Sequence, residues 1–409
     1  MDLIKEMVEV REGKVTAVVE NNLKERWDEL AEKAVFGDEE EKRQAGWVIW
    51  EVGQFVGVRP ASINDLYMAR GRGEAPLNFT VPAINVRGMA YDFSRAIFKS
   101  AQESRVGTLI VEIAKSELDY TGQTPEELVT VVLAAAIREG WRGGLAFQLD
   151  HWENPDGVAE AIKAGFLNID IDKSLLPLKA NINQTVKMIE LIRGIEPEGV
   201  TMSLGGEIGH IGDKNTTTAE VEAYINGINQ SLKKGIVGLS KISVATGTHH
   251  GGVMLADGTL AEVKVDFKAL GEISRICRRS GMAGAVQHGA STLREKYFKE
   301  FVKSETAEVH LATEFQNIIM DHPSFPKDLL EKMYQWLDSE DVEPAHYSLR
   351  KKAWGKFKKE CWQIDSGVRE KIREALEQKL KFFYKELGVE GTGLLAKKWL
   401  KPVERHKEL

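Results

Sequence analysis

The segment LAFQLDHWENPDGVAEAIKAGFLNIDID, residues 145–172, decides how the chain folds. It places two short apolar runs, at 145–149 and 167–171, on either side of an amphipathic stretch at 156–164. Short buried strands that alternate with helices are typical of βαβ units, in which the strands pair in parallel. The segment therefore predicts one unit of a parallel α/β fold.

The same alternation extends on both sides of this segment. Apolar runs that we interpret as six further strands lie at residues 79–86, 108–113, 200–204, 239–245, 283–287 and 307–311. Amphipathic stretches that we interpret as helices lie at residues 125–139, 178–192, 218–233 and 266–278. Eight strand–helix units in roughly 250 residues are typical of a (β/α)8, or TIM, barrel. A doubly wound sheet, the competing fold, usually has fewer strands and a glycine-rich first turn, which is missing from this sequence.

Two further segments flank the predicted barrel. Residues 1–76 have the apolar spacing of helices and end in a linker at 71–76, so we expect a helical N-terminal extension. We assign residues 77–322 to the barrel and residues 323–409 to a helical C-terminal extension. The C-terminal extension contains four tryptophans, which we expect to pack it onto the barrel or onto a second copy in a homo-oligomer: Trp336, Trp354, Trp362 and Trp399.

The composition is that of a soluble globular protein, with 43% hydrophobic and 29% charged residues among 409. No apolar run approaches the roughly 18 residues needed to span a bilayer, and no signal peptide is visible. The net charge of −7 argues against a nucleic-acid partner. Only two cysteines occur, Cys277 and Cys361, and neither belongs to a Cys-x-x-Cys pair. We therefore expect a cytoplasmic protein that binds neither nucleic acid nor membrane.

Three histidines, His151, His250 and His288, each stand where a predicted strand ends. The carboxyl ends of barrel strands gather at one face, where the active sites of TIM barrels lie. Imidazoles brought together from separate strands suit a divalent metal that keeps an open coordination position. The sequence therefore predicts a metal enzyme.

Other ionisable residues follow the ends of consecutive strands, which gives the predicted face several carboxylates and imidazoles: Asp150, Asp170, Asp172, Glu207, His249 and His310. A single such residue is more often structural than functional. The joint pattern on six successive strands favours an active site.

Short motifs recur along the predicted barrel in a fixed order: Val-Pro-Ala-Ile-Asn (81–85), Asp-His (150–151), Ile-Asp-Lys-Ser-Leu-Leu-Pro (171–177), Gly-Glu-Ile-Gly (206–209), Gly-Thr-His-His-Gly (247–251), His-Gly-Ala-Ser (288–291) and Thr-Glu (313–314). In this order and spacing they resemble the class II, metal-dependent fructose-bisphosphate and tagatose-bisphosphate aldolases. The resemblance covers about residues 78–315.

The resemblance implies a role for each matching residue. It makes His151, His250 and His288 the metal ligands, with Glu207 binding the metal in an alternative position. It makes Asp150 the general acid/base and Asp172 a further active-site acid. It assigns the substrate and its phosphate to a larger set of residues: Asn85, Gly251, Gly289, Ser291 and Thr313. The implied substrate is a sugar phosphate of carbohydrate metabolism such as glycolysis. Histidine ligands favour Zn2+, with Co2+, Mn2+ and Fe2+ as alternatives.

The chemistry suits these residue types. Retro-aldol cleavage builds negative charge on an enediolate, and a divalent cation offsets that charge as a Lewis acid. Neutral imidazoles leave the full charge of the cation available to the substrate. A carboxylate must then move the proton on the other side of the bond.

The sequence departs from the family pattern in two loops. After the fifth barrel strand it reads Asp213-Lys214-Asn215, so we predict Asp213 as the second proton-transfer group and Lys214 as a substrate contact. At the eighth strand the Asn-x-Asp-Thr of the family is replaced by His310-Leu311-Ala312-Thr313. We therefore predict that His310 contacts a changed substrate.

Two other functions remain open. A metal-dependent sugar epimerase would use the same retro-aldol step and recombine the fragments. A non-catalytic subunit of a tagatose-bisphosphate aldolase would explain the extensions, although such a subunit need not keep the metal ligands. A Schiff-base aldolase built on Lys115 is disfavoured, because a reactive lysine is not expected beside three metal-binding histidines.

Overall fold

A computed structural model describes residues 3–19, 23–209, 214–247, 265–342 and 349–408. The N-terminal extension is largely helical, as predicted. Its helices are α1 (Leu3–Met7), α2 (Leu23–Phe36), α3 (Glu39–Val56) and α4 (Asn64–Gly71), the last of which ends where the predicted linker begins.

The N-terminal extension also contains three strands that the sequence analysis missed: β1 (Val8–Arg11), β2 (Lys14–Val18) and β3 (Val58–Ser62). Strands β1 and β2 form an antiparallel hairpin. Its two-residue turn, Glu12-Gly13, has φ values of 50° and 75°, as the tight hairpin turns that match strand twist require. A helix cannot continue through two such residues, so the expectation of helix at this point was wrong.

Eight parallel strands form the closed barrel, and every predicted strand is confirmed. They are β4 (Val81–Asn85), β5 (Ile110–Ala114), β6 (Gly143–Trp152), β7 (Asn168–Ile171), β8 (Ser203–Ile208), β9 (Lys241–Val244), β10 (Ala285–Gln287) and β11 (Glu308–Leu311). Each strand pairs with its neighbours in chain order, and β11 pairs with β4 to close the ring.

Helices surround the barrel and follow its strands in the order that βαβ units require. They are α5 (Ala90–Glu103), α6 (Lys115–Thr121), α7 (Pro125–Arg138), α8 (Val158–Ala164), α9 (Leu178–Arg193), α10 (Thr218–Ser231), α11 (Phe267–Arg279), α12 (Phe298–Lys303) and α13 (Thr313–Met320). A 3-10 turn, Glu295–Tyr297, precedes α12. Among the described residues, no helix is both long and apolar enough to cross a membrane.

The strand register brings polar residues to neighbouring positions inside the barrel. Asn85 on β4 pairs with Glu112 on β5, Glu112 with Gln148 on β6, and Gln148 with Asn168 on β7. All four side chains are buried. The barrel interior is therefore polar where these four side chains lie, and each of them needs a hydrogen-bond partner.

The C-terminal extension continues with α14 (Lys327–Ser339), a 3-10 turn (Arg350–Lys352), α15 (Ala353–Lys356), α16 (Lys358–Trp362), α17 (Ser366–Glu386), α18 (Gly393–Trp399) and β12 (Lys401–Pro402). Trp362 stacks on Tyr91 of α5 with ring centroids 5.7 Å apart, and Trp354 packs against Gly88. These two tryptophans therefore pack the extension onto the barrel, as predicted. The division of the chain at residues 76/77 and 322/323 stays a prediction.

The last residues of the chain bind the N-terminal extension. Strand β12 pairs antiparallel with β3, which itself pairs in parallel with β6 of the barrel. The indole N–H groups of Trp47 and Trp50 donate to the carbonyl oxygens of Lys407 (2.9 Å) and Arg405 (2.6 Å). The two ends of the chain are thus joined at the amino-terminal face of the barrel.

The contact between Gly88 and Trp354 gives a stability prediction. A Cβ at residue 88 would lie 2.3 Å from the nearest carbon of the indole ring, so Gly88→Ala should lower the free energy of unfolding by about 1–3 kcal/mol through overpacking. Gly46→Ala is the matched control, since this glycine lies inside α3 with no atom within 4 Å of the added Cβ. It should raise stability by up to about 1 kcal/mol. Urea unfolding measures both, and equal effects would contradict the packing argument.

Candidate active site

A cleft of about 360 Å3 lies at the carboxyl ends of the barrel strands. Ten of the residues predicted from the sequence line it: Asn85, Asp150, His151, Asp172, Glu207, His288, Gly289, Ser291, His310 and Thr313. They come from six of the eight strands or from the loops that follow them. The fold therefore brings together side chains that are up to 228 residues apart in the chain, from residue 85 to residue 313.

His151 lies near the end of β6, where the pairing of this strand with β7 is irregular. The pairing of β6 with β7 shifts register between Leu149 and Trp152, and His151 has a left-handed φ of 48°. A bulky residue rarely adopts this conformation, and such outliers concentrate at functional sites. The ring Nδ1 lies 2.9 Å from Oδ2 of Asp172 and 3.1 Å from Oε1 of Glu207.

His288 lies next to His151, with ring centroids 4.7 Å apart. Its Nε2 is 3.8 Å from Oδ1 of Asp150, and that of His151 is 3.6 Å from Oδ2 of the same aspartate. One possible ligand atom from each of His151, His288, Asp150 and Glu207 lies within 4.8 Å of the others. Imidazoles and carboxylates at this separation fit a divalent transition metal such as zinc.

The charges in this group are strongly coupled. Burial raises the pKa of Asp150, but the imidazoles of His151, His310 and His288 outweigh it and hold that pKa well below its ordinary value. Burial alone would lower the pKa of His151, yet the carboxylates of Asp150 and Glu207 raise it well above its ordinary value. Asp150 is therefore a carboxylate at neutral pH.

The pKa values of Glu207 and Asp172 are shifted in opposite directions although both residues approach His151. Burial raises the pKa of Glu207 to about 8. Burial also disfavours the charged form of Asp172, but hydrogen bonds from His151 and from the Ser174 N–H (2.8 Å) lower its pKa below the ordinary value. Asp172 is thus the ionised partner that orients the His151 ring.

Several residues of the cleft can bind an anion. Gly289, Ser291 and Thr313 line it. Arg87 and Lys351 line the cleft as well, and the Arg87 guanidinium pairs with Glu117 at 2.6 Å. Sequence reasoning missed Lys351, which comes from the C-terminal extension. Burial, reinforced by Arg87, lowers the pKa of Lys351 to about 8.

A buried ion network below the cleft was also missed. The Lys241 ammonium group lies 2.5 Å from Oε1 of Glu308 and 2.9 Å from Oδ2 of Asp170, and all three side chains are fully buried. Glu112 lies 3.0 Å from Nδ1 of His310. The signal in the sequence was a charged residue inside an apolar strand run, as at Lys241 in 239–245 and Glu308 in 307–311.

Four predicted site residues are not placed in the cleft. The side chain of Lys214 is 82% exposed and pairs with Glu220 (3.0 Å), an acid in the first turn of α10, so its predicted contact with substrate stays a prediction. Asp213, His250 and Gly251 lie outside the described residues.

A TIM barrel with a histidine–carboxylate cluster at the carboxyl ends of its strands defines a barrel enzyme with a candidate metal centre. The chain matches the model of the family described as fructose-bisphosphate aldolase class-II over residues 75–386. It belongs to this family, which makes it a lyase of the class II aldolase type.

Solved structures of aldolases share the fold. The YdjI aldolase from Escherichia coli K12 is 14% identical, with a TM-score of 0.55 over 81% of this chain and 99% of that one. The fructose-bisphosphate aldolase from Campylobacter jejuni is 16% identical, with a TM-score of 0.54 over 82% of this chain and 97% of that one. At these identities the likeness concerns the fold.

The contact between Asp172 and His151 predicts an effect on metal binding. Partners that orient a ligating histidine typically contribute 10- to 100-fold in affinity, so Asp172→Ala should weaken Zn2+ binding by about that factor. The exposed residue Lys214 supplies the control, since Lys214→Ala should leave the affinity unchanged. Calorimetric zinc titration measures both variants, and wild-type affinity in Asp172→Ala would refute the orienting role.

Proposed function

We propose that the protein is a divalent-metal-dependent aldolase that cleaves or forms a carbon–carbon bond in a ketose phosphate resembling fructose or tagatose bisphosphate. The observation that carries the proposal is the convergence of His151, His288, Asp150 and Glu207 in one cluster, within a chain of the class II aldolase family. Cytoplasmic glycolytic activity and a homo-oligomeric state are parts of the same proposal.

His151, His288 and Glu207 would hold the metal, together with His250. We expect Zn2+ because imidazole suits it, with Co2+, Mn2+ or Fe2+ as alternatives. The metal would act as a Lewis acid that offsets the negative charge developing on the enediolate. The low exposure of His288 (2%) and Glu207 (3%) keeps water away from these groups and strengthens their electrostatic interactions.

Asp150 is the group that we assign to proton transfer. In the cleavage direction it would take the proton of the substrate hydroxyl as the bond to the neighbouring carbon breaks and that hydroxyl carbon becomes an aldehyde. In the synthetic direction the same oxygen would return the proton. Its position within the cluster and its ionised state support the role. Asp213, predicted to move the second proton, remains a proposal.

The residues that line the cleft support an anionic substrate. Backbone N–H groups near Gly289, with the Ser291 and Thr313 hydroxyls, can hold one phosphate. Arg87 and Lys351 provide positive charge for a second anionic group, with Asn85 beside them donating to Glu117 (2.6 Å). This set of residues favours a sugar that carries more than one anionic group.

A second candidate function is a metal-dependent sugar epimerase. The eighth strand favours it, because His310 and Ala312 replace two polar residues of the family pattern and change the wall of the cleft. An epimerase would return a rearranged sugar and release no trioses. NMR of the product mixture separates the two functions.

Asp150→Ala tests the assigned chemistry. Loss of a general acid/base typically costs 10^2- to 10^4-fold, so cleavage of fructose 1,6-bisphosphate and tagatose 1,6-bisphosphate should fall by about that factor. Zinc content should remain stoichiometric, because the four proposed ligands, His151, His250, His288 and Glu207, are retained. Triose release and metal analysis measure the two properties. Full turnover in this variant would exclude the role.

Lys351 gives a pH-dependent prediction. Anion binding favours the ammonium form, so its contribution should be complete well below pH 8 and should be lost as the pH rises through that value. The KM for fructose 1,6-bisphosphate should therefore increase between pH 8 and 9.5 in the wild type. Lys351→Met should have a higher KM at pH 7 and a flatter profile. The exposed Lys359 supplies the control variant Lys359→Met, and identical profiles in all three proteins would contradict the assignment.

A further inference from the structure

A column of fully buried polar side chains lies inside the barrel beneath the candidate metal cluster. The ammonium group of Lys241 contacts Gln148 Oε1 (2.7 Å), Asp170 Oδ2 (2.9 Å) and Glu308 Oε1 (2.5 Å). Gln148 in turn donates to Glu308 Oε1 at 2.8 Å. Because these groups are shielded from water, removing one partner leaves a buried charge uncompensated. Each side chain of the column therefore depends on the others for its position.

Glu308 is held through both carboxylate oxygens. Its Oε1 accepts from Lys241 and Gln148 and lies 2.7 Å from Nε2 of His310. Its Oε2 accepts a short hydrogen bond from the Tyr67 hydroxyl. Contacts on both oxygens fix the rotation of the carboxylate plane. Without the Tyr67 hydroxyl, Oε2 would lose this donor. The plane of the Glu308 carboxylate would then be free to rotate away from His310.

Glu308 in turn fixes His310 at the edge of the cleft. The other ring nitrogen, Nδ1, lies 3.0 Å from Glu112 Oε2 and 3.4 Å from Asp150 Oδ2. The ring centroid is 4.0 Å from that of His288. Both nitrogens of His310 therefore face carboxylates, and its ring lies against both the proton-transfer group Asp150 and the metal ligand His288.

Tyr67 does not belong to the barrel. It lies on α4 of the N-terminal extension, which packs at the amino-terminal face of the barrel. The backbone N–H of Ile63, just before α4, donates to Asn168 Oδ1 at 3.0 Å, and Arg70 donates to the Phe79 carbonyl at 2.8 Å. These bonds hold α4 so that the Tyr67 hydroxyl enters the barrel interior.

We propose that Tyr67 is a positioning residue for the active site, whose hydroxyl acts through Glu308 to fix His310 beside Asp150 and His288. The N-terminal extension then contributes to the active site, although Tyr67 reaches His310 only through Glu308. The effect on turnover rests on the proposed aldolase function, whereas the effect on His310 does not.

Tyr67→Phe tests the proposal because it removes only the hydroxyl. In metal-free protein labelled with 15N-histidine, it should shift the imidazole signals of His310, which are identified by their loss in His310→Asn. It should also lower kcat for fructose 1,6-bisphosphate by about tenfold, the usual effect of one hydrogen bond to a charged group. KM and zinc content should be unchanged.

Tyr384→Phe is the matched control, since this tyrosine of the C-terminal extension is also fully buried but donates to the Ile97 carbonyl of α5 (3.3 Å). It should change neither the His310 signals nor kcat. Wild-type His310 signals in Tyr67→Phe would overturn the proposal. If the wild type cleaves neither bisphosphate, the proposed function fails, while the NMR comparison still decides the role of Tyr67.

Glu308→Gln serves as a second variant should Tyr67→Phe fold poorly. It leaves Lys241 paired with Asp170, so the buried charges remain balanced. The same displacement of the His310 signals is expected. Unchanged signals in this variant would also overturn the proposal, because Glu308 is the link between the two residues.

Discussion

The pairing of Lys241 with Asp170 and Glu308 is the constraint on which the active site depends. Metal chemistry at the barrel mouth requires several buried carboxylates, and isolated buried charges are very costly. A fully buried ammonium group between two of them offsets part of that cost. The paired carboxylates then serve as fixed acceptors, and the orientation of His310 above them follows. Barrel stability and site geometry are therefore determined by the same contacts.

Strand positions could be predicted from the sequence because each barrel strand is a short apolar run between amphipathic helices. The residues at the strand ends, such as His151 and His288, could be predicted for the same reason, since parallel strands bring their carboxyl ends to one face. Tyr67 and Lys351 could not, because they reach the site from extensions whose packing depends on tertiary contacts. The partners Lys241 and Glu308 are 67 residues apart, and a charge in a strand does not reveal its partner.

Both extensions contribute to the same enzyme from opposite sides. The N-terminal extension approaches the interior from below through α4, and the C-terminal extension places Lys351 in the cleft above. Segments outside the barrel strands can in this way shape the surroundings of a site that is built at the strand ends.

The antiparallel pairing of β12 with β3, and the bonds from Trp47 and Trp50 to the last residues, have a consequence for biosynthesis. During synthesis, Trp47 and Trp50 obtain these partners only after Arg405 and Lys407 have been made, 355 to 360 positions later. Contacts of such sequence separation form slowly and late. The packing of α3 and β3 is therefore completed only after residues 401–407 have been synthesised.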